Sequence, residues 1–385
     1  MPAPKQTRRS HPYELGEGRS KCIYIRPKVD DTAVLMAFYN PVPFKRILKN
    51  IRYITNCMEA VGIPVFVAEC VFPGRRPQLP NADLVVHSSS YMFYKEQLLN
   101  LLEPKVPEQY TKLVFLDGDI LFDAPDWLNQ ISVKLNHVDI LQPFQEACWL
   151  TPDNTRIRNK KLSYAHAIVN ELTGQAGETH LYHPGFAWAM RRDIFRRLGG
   201  FYARSIVGNG DMMFTFNFFT DSIPESFKRD HSVSDVITDG WLSYHTQFVR
   251  VGPSLGVLGI KALHLFHGLT ENRQYRTRYR DVGEHLKGTW DEIVMMNPDG
   301  LTEFRDPRAS EAVLRYFKGR NEDIPLREAL RTVELAAHRA KTKRAGRQGG
   351  LALASMLNQG GEPVAAAAPA GAEKLESTAE PPVAI

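Results

Sequence analysis

Two carboxylates one residue apart, Asp117 and Asp119, follow the apolar run Lys112-Leu-Val-Phe-Leu116, with Gly118 between them. The run has the length and composition of a buried parallel strand, and the acids fall where such a strand leaves its sheet. In open α/β sheets that carboxyl end is where ligands bind. Neighbouring carboxylates repel unless a cation neutralises them, and hard oxygen ligands suit Mg²⁺ or Mn²⁺. The pair therefore predicts a metal-assisted reaction on a phosphorylated substrate. A solvated turn is the bland alternative. On alternate positions of an extended segment both acids can face one ion.

Three further groupings extend this chemistry. His264 and His267 follow an apolar run, with Gly268 permitting a sharp turn behind them; a neutral imidazole there can complete a coordination shell begun by Asp119. Arg273, Arg276, Arg278 and Arg280 come next, and guanidinium forks match phosphate oxygens, although a solvated face explains such a run equally well. In Gly208-Asn-Gly210-Asp211 the glycines allow close approach of a ligand and Asp211 offers a base; an ordinary Asn-Gly turn accounts for the glycines without function. Trp188 and Phe186 offer stacking surfaces for a sugar or a base, or simply core.

The elements that must position these groups are legible in outline. Thr32–Phe38 reads as a buried strand, and Asn40-Pro-Val-Pro43 opens a helix whose apolar positions, Phe44, Ile47, Leu48, Ile51, Ile54, Met58 and Val61, recur at helical spacing up to Gly62. Residues 64–70 and 84–87 read as strands, 94–102 as a helix, and 114–116 as a fourth strand. This β-α-β-β-α-β order predicts an α/β fold: a Rossmann-related, mostly parallel sheet flanked by helices, with a smaller acceptor-side region. Asn40 and Asp117 should then lie on the same side of the sheet. Beyond Trp127 the pattern is less regular. A second compact segment begins at His183, residues 256–265 read as one strand-like run, and residues 322–345 read as a helix. The expected domains are a flexible N-terminus (1–21), a catalytic domain (22–320), a helical extension (321–347) and an Ala-, Gly- and Pro-rich disordered tail (348–385).

With 385 residues, a net charge of +5 and 43% hydrophobic content, the chain is ordinary for a globular protein with ample core. The charge fits an anionic substrate without requiring nucleic acid, and the basic residues are dispersed. Its four cysteines form no Cys-x-x-Cys pair and no disulfide framework, which argues against structural zinc and for a reducing compartment. The absence of a signal-like or membrane-spanning apolar stretch gives the expectation of a cytoplasmic chain, or a host-cytoplasmic one if the source is viral.

Taken together, the motifs resemble those of nucleotide-sugar glycosyltransferases of the GT-A fold, with a galactosyltransferase-like C-terminal half. Four passages carry the resemblance: Tyr94–Asn100 with Tyr110–Phe122; His183–Asp193 with Gly199-Gly-Phe-Tyr202; Gly208–Asp211; and His264–Gly268 with Arg273-Gln-Tyr275. The match as a whole runs from about Thr32 to Asp281. The resemblance implies a nucleoside diphosphate sugar donor, a glycan, lipid or protein acceptor, and Mn²⁺ (or Mg²⁺). It implies that Asp119 binds the metal directly and that Asp117 contacts the ribose, or the metal through water. His267 would be the later ligand, with His264 as the competing choice. Asp211 would be the base toward the acceptor if the enzyme inverts. Phe38 and Asn40 would border the nucleotide base, and Lys95, Trp188, Gly210 and Arg273 would join the substrate contacts. Asp211 is followed by Met212 and Met213 rather than by further acids, which leaves the identity of the base open. Two rival readings are a phosphatase of the haloacid dehalogenase type, with Asp117 as nucleophile, and a non-catalytic carbohydrate-binding relative. Against the phosphatase, Asp119 is followed by Ile120 and Leu121, and the motif comes after three candidate strands rather than near the start.

Overall fold

The computed structural model describes residues 23–172 and 181–339. Expectations for residues 1–21 and 348–385, and for the far end of the 322–345 helix, fall outside these. Described residues up to Arg331 form one compact unit; those of the second unit, 332–339, are helical.

Thirteen strands are present among the described residues of the first unit: β1 (Thr32–Tyr39), β2 (Val65–Val71), β3 (Leu84–His87), β4 (Lys112–Leu116), β5 (Ile120–Phe122), β6 (Ile140–Gln142), β7 (Glu146–Leu150), β8 (Ile157–Leu162), β9 (Ala187–Arg191), β10 (Leu255–Val257), β11 (Lys261–His264), β12 (Val294–Met296) and β13 (Thr302–Phe304). The central sheet has the order β10-β6-β9-β4-β1-β2-β3. All its strands share one direction except β9, which runs antiparallel to both β4 and β6. A second sheet, β5-β11-β7-β8, and the ribbon β12-β13 complete the strands. This is the α/β class expected from the sequence.

The core lies on both faces of the central sheet. Along β1, Ala33 and Leu35 point to one face, where Leu98, Leu99 and Leu102 of the helix Lys95–Leu102 cover them. Val34, Met36 and Phe38 point to the other, under Ile51, Ile54 and Met58 of the helix Lys45–Glu59. The strand period of two and the helical spacing thus interlock as expected. Gly62, at φ +76°, ends the first helix in a conformation that disfavours other residues.

The run 256–265 is not one strand. β10 pairs with β6 in the central sheet, whereas β11 pairs with β5 and β7 in the second, and a bend at Gly259-Ile260 separates them. The stretch after Trp127 is also more ordered than its pattern predicts, because β6 and β7 are short and pair with the distant β9, β10 and β11, while β8 adds to β7 as a hairpin. No helix among the described residues is long and apolar enough to cross a membrane.

Candidate active site

The turn Asp117-Gly118-Asp119 joins the two sheets. Its amino end is pinned by the Asp117 N–H, which donates to the Phe186 carbonyl at 2.9 Å, and its carboxyl end by the Leu265 N–H, which donates to the Asp119 carbonyl at 2.8 Å. β5 leaves the turn antiparallel to β11, in a register that sets Ile120 opposite His264. A segment almost 150 residues downstream thereby delivers both histidines to Asp119. Gly118 packs against Ile51, where a Cβ would sit 3.2 Å from that side chain.

Asp119, His264 and His267 form the first cluster. His267 Nε2 lies 2.5 Å from Asp119 Oδ2, His264 Nε2 lies 3.6 Å from the same oxygen, and the two imidazole nitrogens are 3.1 Å apart. All three donor atoms fall within 4.8 Å of one another. Ligands bound at about 2.1 Å and at right angles around one ion lie about 3 Å apart, so the trio fits a single divalent cation. Asp119 Oδ1 is buried without a hydrogen-bond partner among the described residues, as an atom awaiting a cation would be. Burial would raise the Asp119 carboxyl, but His264, His267 and Arg273 together hold it below its ordinary range. Burial, with His267 and Arg273, pushes His264 down to about 3 despite Asp119, so it stays neutral. His267 moves the other way: burial and Arg273 oppose its charge, but Glu322 and Asp119 raise its pKa.

The second cluster is centred on Lys95, the first residue of its helix. Its Nζ donates to Asp117 Oδ1 at 3.1 Å and to Asp211 Oδ1 at 2.7 Å. Asp211 stands in the first turn of the helix Gly210–Phe216. Gly208 and Asn209, at φ +104° and +79°, turn the chain into that helix, and Tyr279 secures the turn by donating to the Gly208 carbonyl at 2.7 Å. Asp211 Oδ2 lies so close over Gly185 that a Cβ there would meet it at 2.7 Å. Glu96 is buried, with Oε1 lacking a partner among the described residues and pressed against Gly210. Burial, reinforced by Asp211 and Asp117, raises Glu96 to about 7, and burial with Asp211 and Asp119 raises Asp117 to about 6, in both cases against the pull of Lys95.

Between the clusters runs the segment His183–Phe186. Phe186 holds φ +77°, rare for a residue with a side chain, and its ring stacks on His264 at 5.2 Å and lies 4.0 Å from His183. His183 Nε2 is buried and unpartnered among the described residues, and burial keeps it neutral. A cavity opens here, lined by Lys95, Glu96, Asp117, Phe186, Trp188 and Asp211 among others.

The fold therefore gathers Lys95, Asp117, Asp119, Gly210, Asp211, His264, His267 and Arg273 at one edge of the sheet. It does not bring Phe38 or Asn40 into either cluster. Phe38 is core, and the Asn40 amide is spent on Phe44 and Gln78. Trp188 lines the cavity, but its ring packs on Phe214 and Phe218 and its indole N–H donates to the Pro184 carbonyl. Arg278 is buried against Asn209, whereas Arg276 and Arg280 are exposed. The sequence pattern does not single out Glu96, His183 or Glu322. Glu96 and His183 lie within Tyr94–Asn100 and His183–Asp193, two of the passages that carry the resemblance; Glu322 carries no spacing signal toward His267.

No family model matches this chain, and no curated protein sequence matches it. Among solved structures it is similar to the catalytic domain of a Drosophila beta1,4-galactosyltransferase 7 in complex with xylobiose (11% identity, 75% of this chain and 99% of that chain, TM-score 0.30). A mutant of that enzyme in complex with manganese, UDP-Gal and xylobiose gives 11% identity, the same coverage and a TM-score of 0.33. Mannosyl-3-phosphoglycerate synthase from Rubrobacter xylanophilus gives 9% identity, 71% of this chain and 87% of that chain, and a TM-score of 0.30. Superpositions this loose carry no chemistry across; the chemistry rests on the two clusters.

Proposed function

We propose that the chain is a divalent-metal glycosyltransferase that moves a hexose from a nucleoside diphosphate sugar to a hydroxyl of a glycan, lipid or protein. One observation carries the reading: a one-carboxylate, two-imidazole cluster stands beside a second cluster of acids at the carboxyl edge of a mostly parallel sheet, where nucleotide ligands bind.

In this reading Asp119, His267 and His264 hold the cation. Two imidazoles tilt the donor set toward Mn²⁺ over Mg²⁺, which favours oxygen. When bound, the ion supplies positive charge where the leaving diphosphate becomes negative. Arg273, whose guanidinium lies against His267 and Glu322, adds a second positive charge to the same cluster. Asp117 takes the ribose side. Asp211, anchored by Lys95 through Oδ1 and with Oδ2 close over Gly185, accepts the proton of the acceptor hydroxyl. Lys95 keeps the two acids apart in role by fixing one oxygen of each. The aromatic wall of Phe186 and Trp188 excludes water from the reacting sugar, whose transition state is oxocarbenium-like.

The test is a donor-hydrolysis and transfer screen across nucleotide sugars, with and without Mn²⁺, on the native chain and Asp119→Asn. Metal-dependent turnover that survives in Asp119→Asn refutes the assignment. Trapping a phosphoaspartate at Asp117 would replace it with phosphatase chemistry.

A further inference from the structure

We propose that Glu322 is a positioning residue for His267, and that residues 320–324 form a clasp closing the metal centre from a segment remote in sequence. This rests on the reading of Asp119, His264 and His267 as metal ligands. His267 Nδ1 lies 2.7 Å from Glu322 Oε2, on the opposite side of the ring from the Nε2 that meets Asp119. An imidazole can offer one nitrogen to a metal only if the proton sits on the other, and a carboxylate accepting that proton fixes both tautomer and ring angle. Glu322 is fully buried and is itself held from two sides. Arg320 Nη2 lies 2.5 Å from Oε1, and Arg273 Nη2 lies 3.7 Å from Oε2.

The surroundings are shaped for this contact. Gly268, directly after His267, has φ +101°, and a Cβ there would meet Glu322 Oε2 at 2.9 Å and Glu322 Cα at 3.3 Å. Glycine is what lets the clasp reach the ring. The next residue, Asp323, accepts from the Lys45 and Arg46 backbone N–H groups at 2.8 Å each, satisfying the open start of the helix Lys45–Glu59. Arg46 in turn donates to the Ile324 carbonyl at 3.0 Å. Five consecutive residues thus tie the histidine to the first helix of the fold.

The experiment is Mn²⁺ titration calorimetry on the full chain, for the native protein, Glu322→Ala, Glu322→Gln, Asp323→Asn and Asp119→Asn. We expect Glu322→Ala to weaken Mn²⁺ roughly 10–100-fold, as loss of an outer carboxylate does, and Glu322→Gln, whose amide oxygen still accepts the proton, to lose less. Asp323→Asn, which loosens the clasp's tie to the helix Lys45–Glu59 but keeps the imidazole contact, should weaken Mn²⁺ less than Glu322→Ala. If the native chain binds Mn²⁺, Asp119→Asn does not, and both Glu322 variants bind as the native chain does, the positioning role is overturned while the metal reading stands. If the native chain binds no Mn²⁺, both fall. Should Glu322→Ala fail to fold, ¹⁵N imidazole spectra of the native chain loaded with diamagnetic Zn²⁺ decide. A proton on His267 Nδ1 supports the role; a proton on Nε2 overturns it.

Discussion

Replacing Lys95 by methionine removes a cation that faces Asp117 and Asp211 together while keeping most of its volume. The ammonium lies 3.1 Å from one carboxylate and 2.7 Å from the other. At an effective dielectric of about 20, those contacts carry about 5 and 6 kcal/mol of Coulomb energy. Stripping water from the charges offsets much of this, and deleting one partner of a buried pair typically costs about 3–5 kcal/mol net. The loss should depend on pH, because Asp117 and the neighbouring Glu96 can escape by taking up protons. Burial already lifts Asp117 to about 6 and Glu96 to about 7. Both values exceed those of the unfolded chain, so the native state binds extra protons between about pH 4 and 7, and this share of stability is lost as pH rises through that window. Without Lys95 both acids climb further and the window extends upward, at about 1.4 kcal/mol per pH unit for each extra proton held. Urea unfolding of Lys95→Met should show a deficit of about 3–5 kcal/mol at pH 8, shrinking by about 1.4 kcal/mol per unit toward pH 5.5. An equal deficit at both ends, or one below about 1 kcal/mol at pH 8, the scale of an exposed ion pair, refutes the reasoning.

His267→Ala should reduce Mn²⁺ affinity more than His264→Ala in calorimetry, since His267 lies nearer Asp119 and is braced by Glu322. Its loss should exceed the roughly 10–100-fold cost of an outer-shell change. Metal binding near pH 6 should release about one proton, chiefly from His267, whose pKa is raised, while neutral His264 releases none; titration in buffers of different ionisation enthalpy measures this, and affinity should fall as pH falls. Gly210→Ala should destabilise by about 1–3 kcal/mol in thermal unfolding, because its methyl group would overlap the buried Glu96 carboxylate. Arg192→Met, which strips the buried Glu103 of a partner at 2.5 Å, should cost about 3–5 kcal/mol in urea and leave Mn²⁺ affinity unchanged.

The first half of the sheet was readable because β1, β2 and β4 are buried on both faces and so read as unbroken apolar runs, and because the first helix carries its stripe at a clean period. Asp117 and Asp119 were readable for the same reason, as charges that interrupt such a run. What escaped depends on contacts between distant segments. β10 and β11 merge in sequence because the bend between them has no strong turn residues beyond Gly259. Glu322 has no local signal, since its meaning comes from His267, 55 positions away. Glu96 was hidden because an acid at the start of a helix is ordinary. That it is buried, with Oε1 against Gly210 and without a partner among the described residues, shows only in the fold. Phe38 and Asn40 sit at the expected strand end, but sequence cannot show that one side chain turns into the core and the other closes its own loop.

Lys95 also has a consequence for the sequence in which ligands arrive. It is the cation that three acids share, Glu96, Asp117 and Asp211, and its charge cannot balance all of them once they ionise. Counting Arg273 and Asp119, which share this edge, four carboxylates still face two permanent cations. On the proposed reading, a diphosphate arriving alone meets net repulsion there, which a divalent ion held first by Asp119, His264 and His267 would offset. On the proposed reading, this surplus of carboxylates over cations favours ordered addition, cation first.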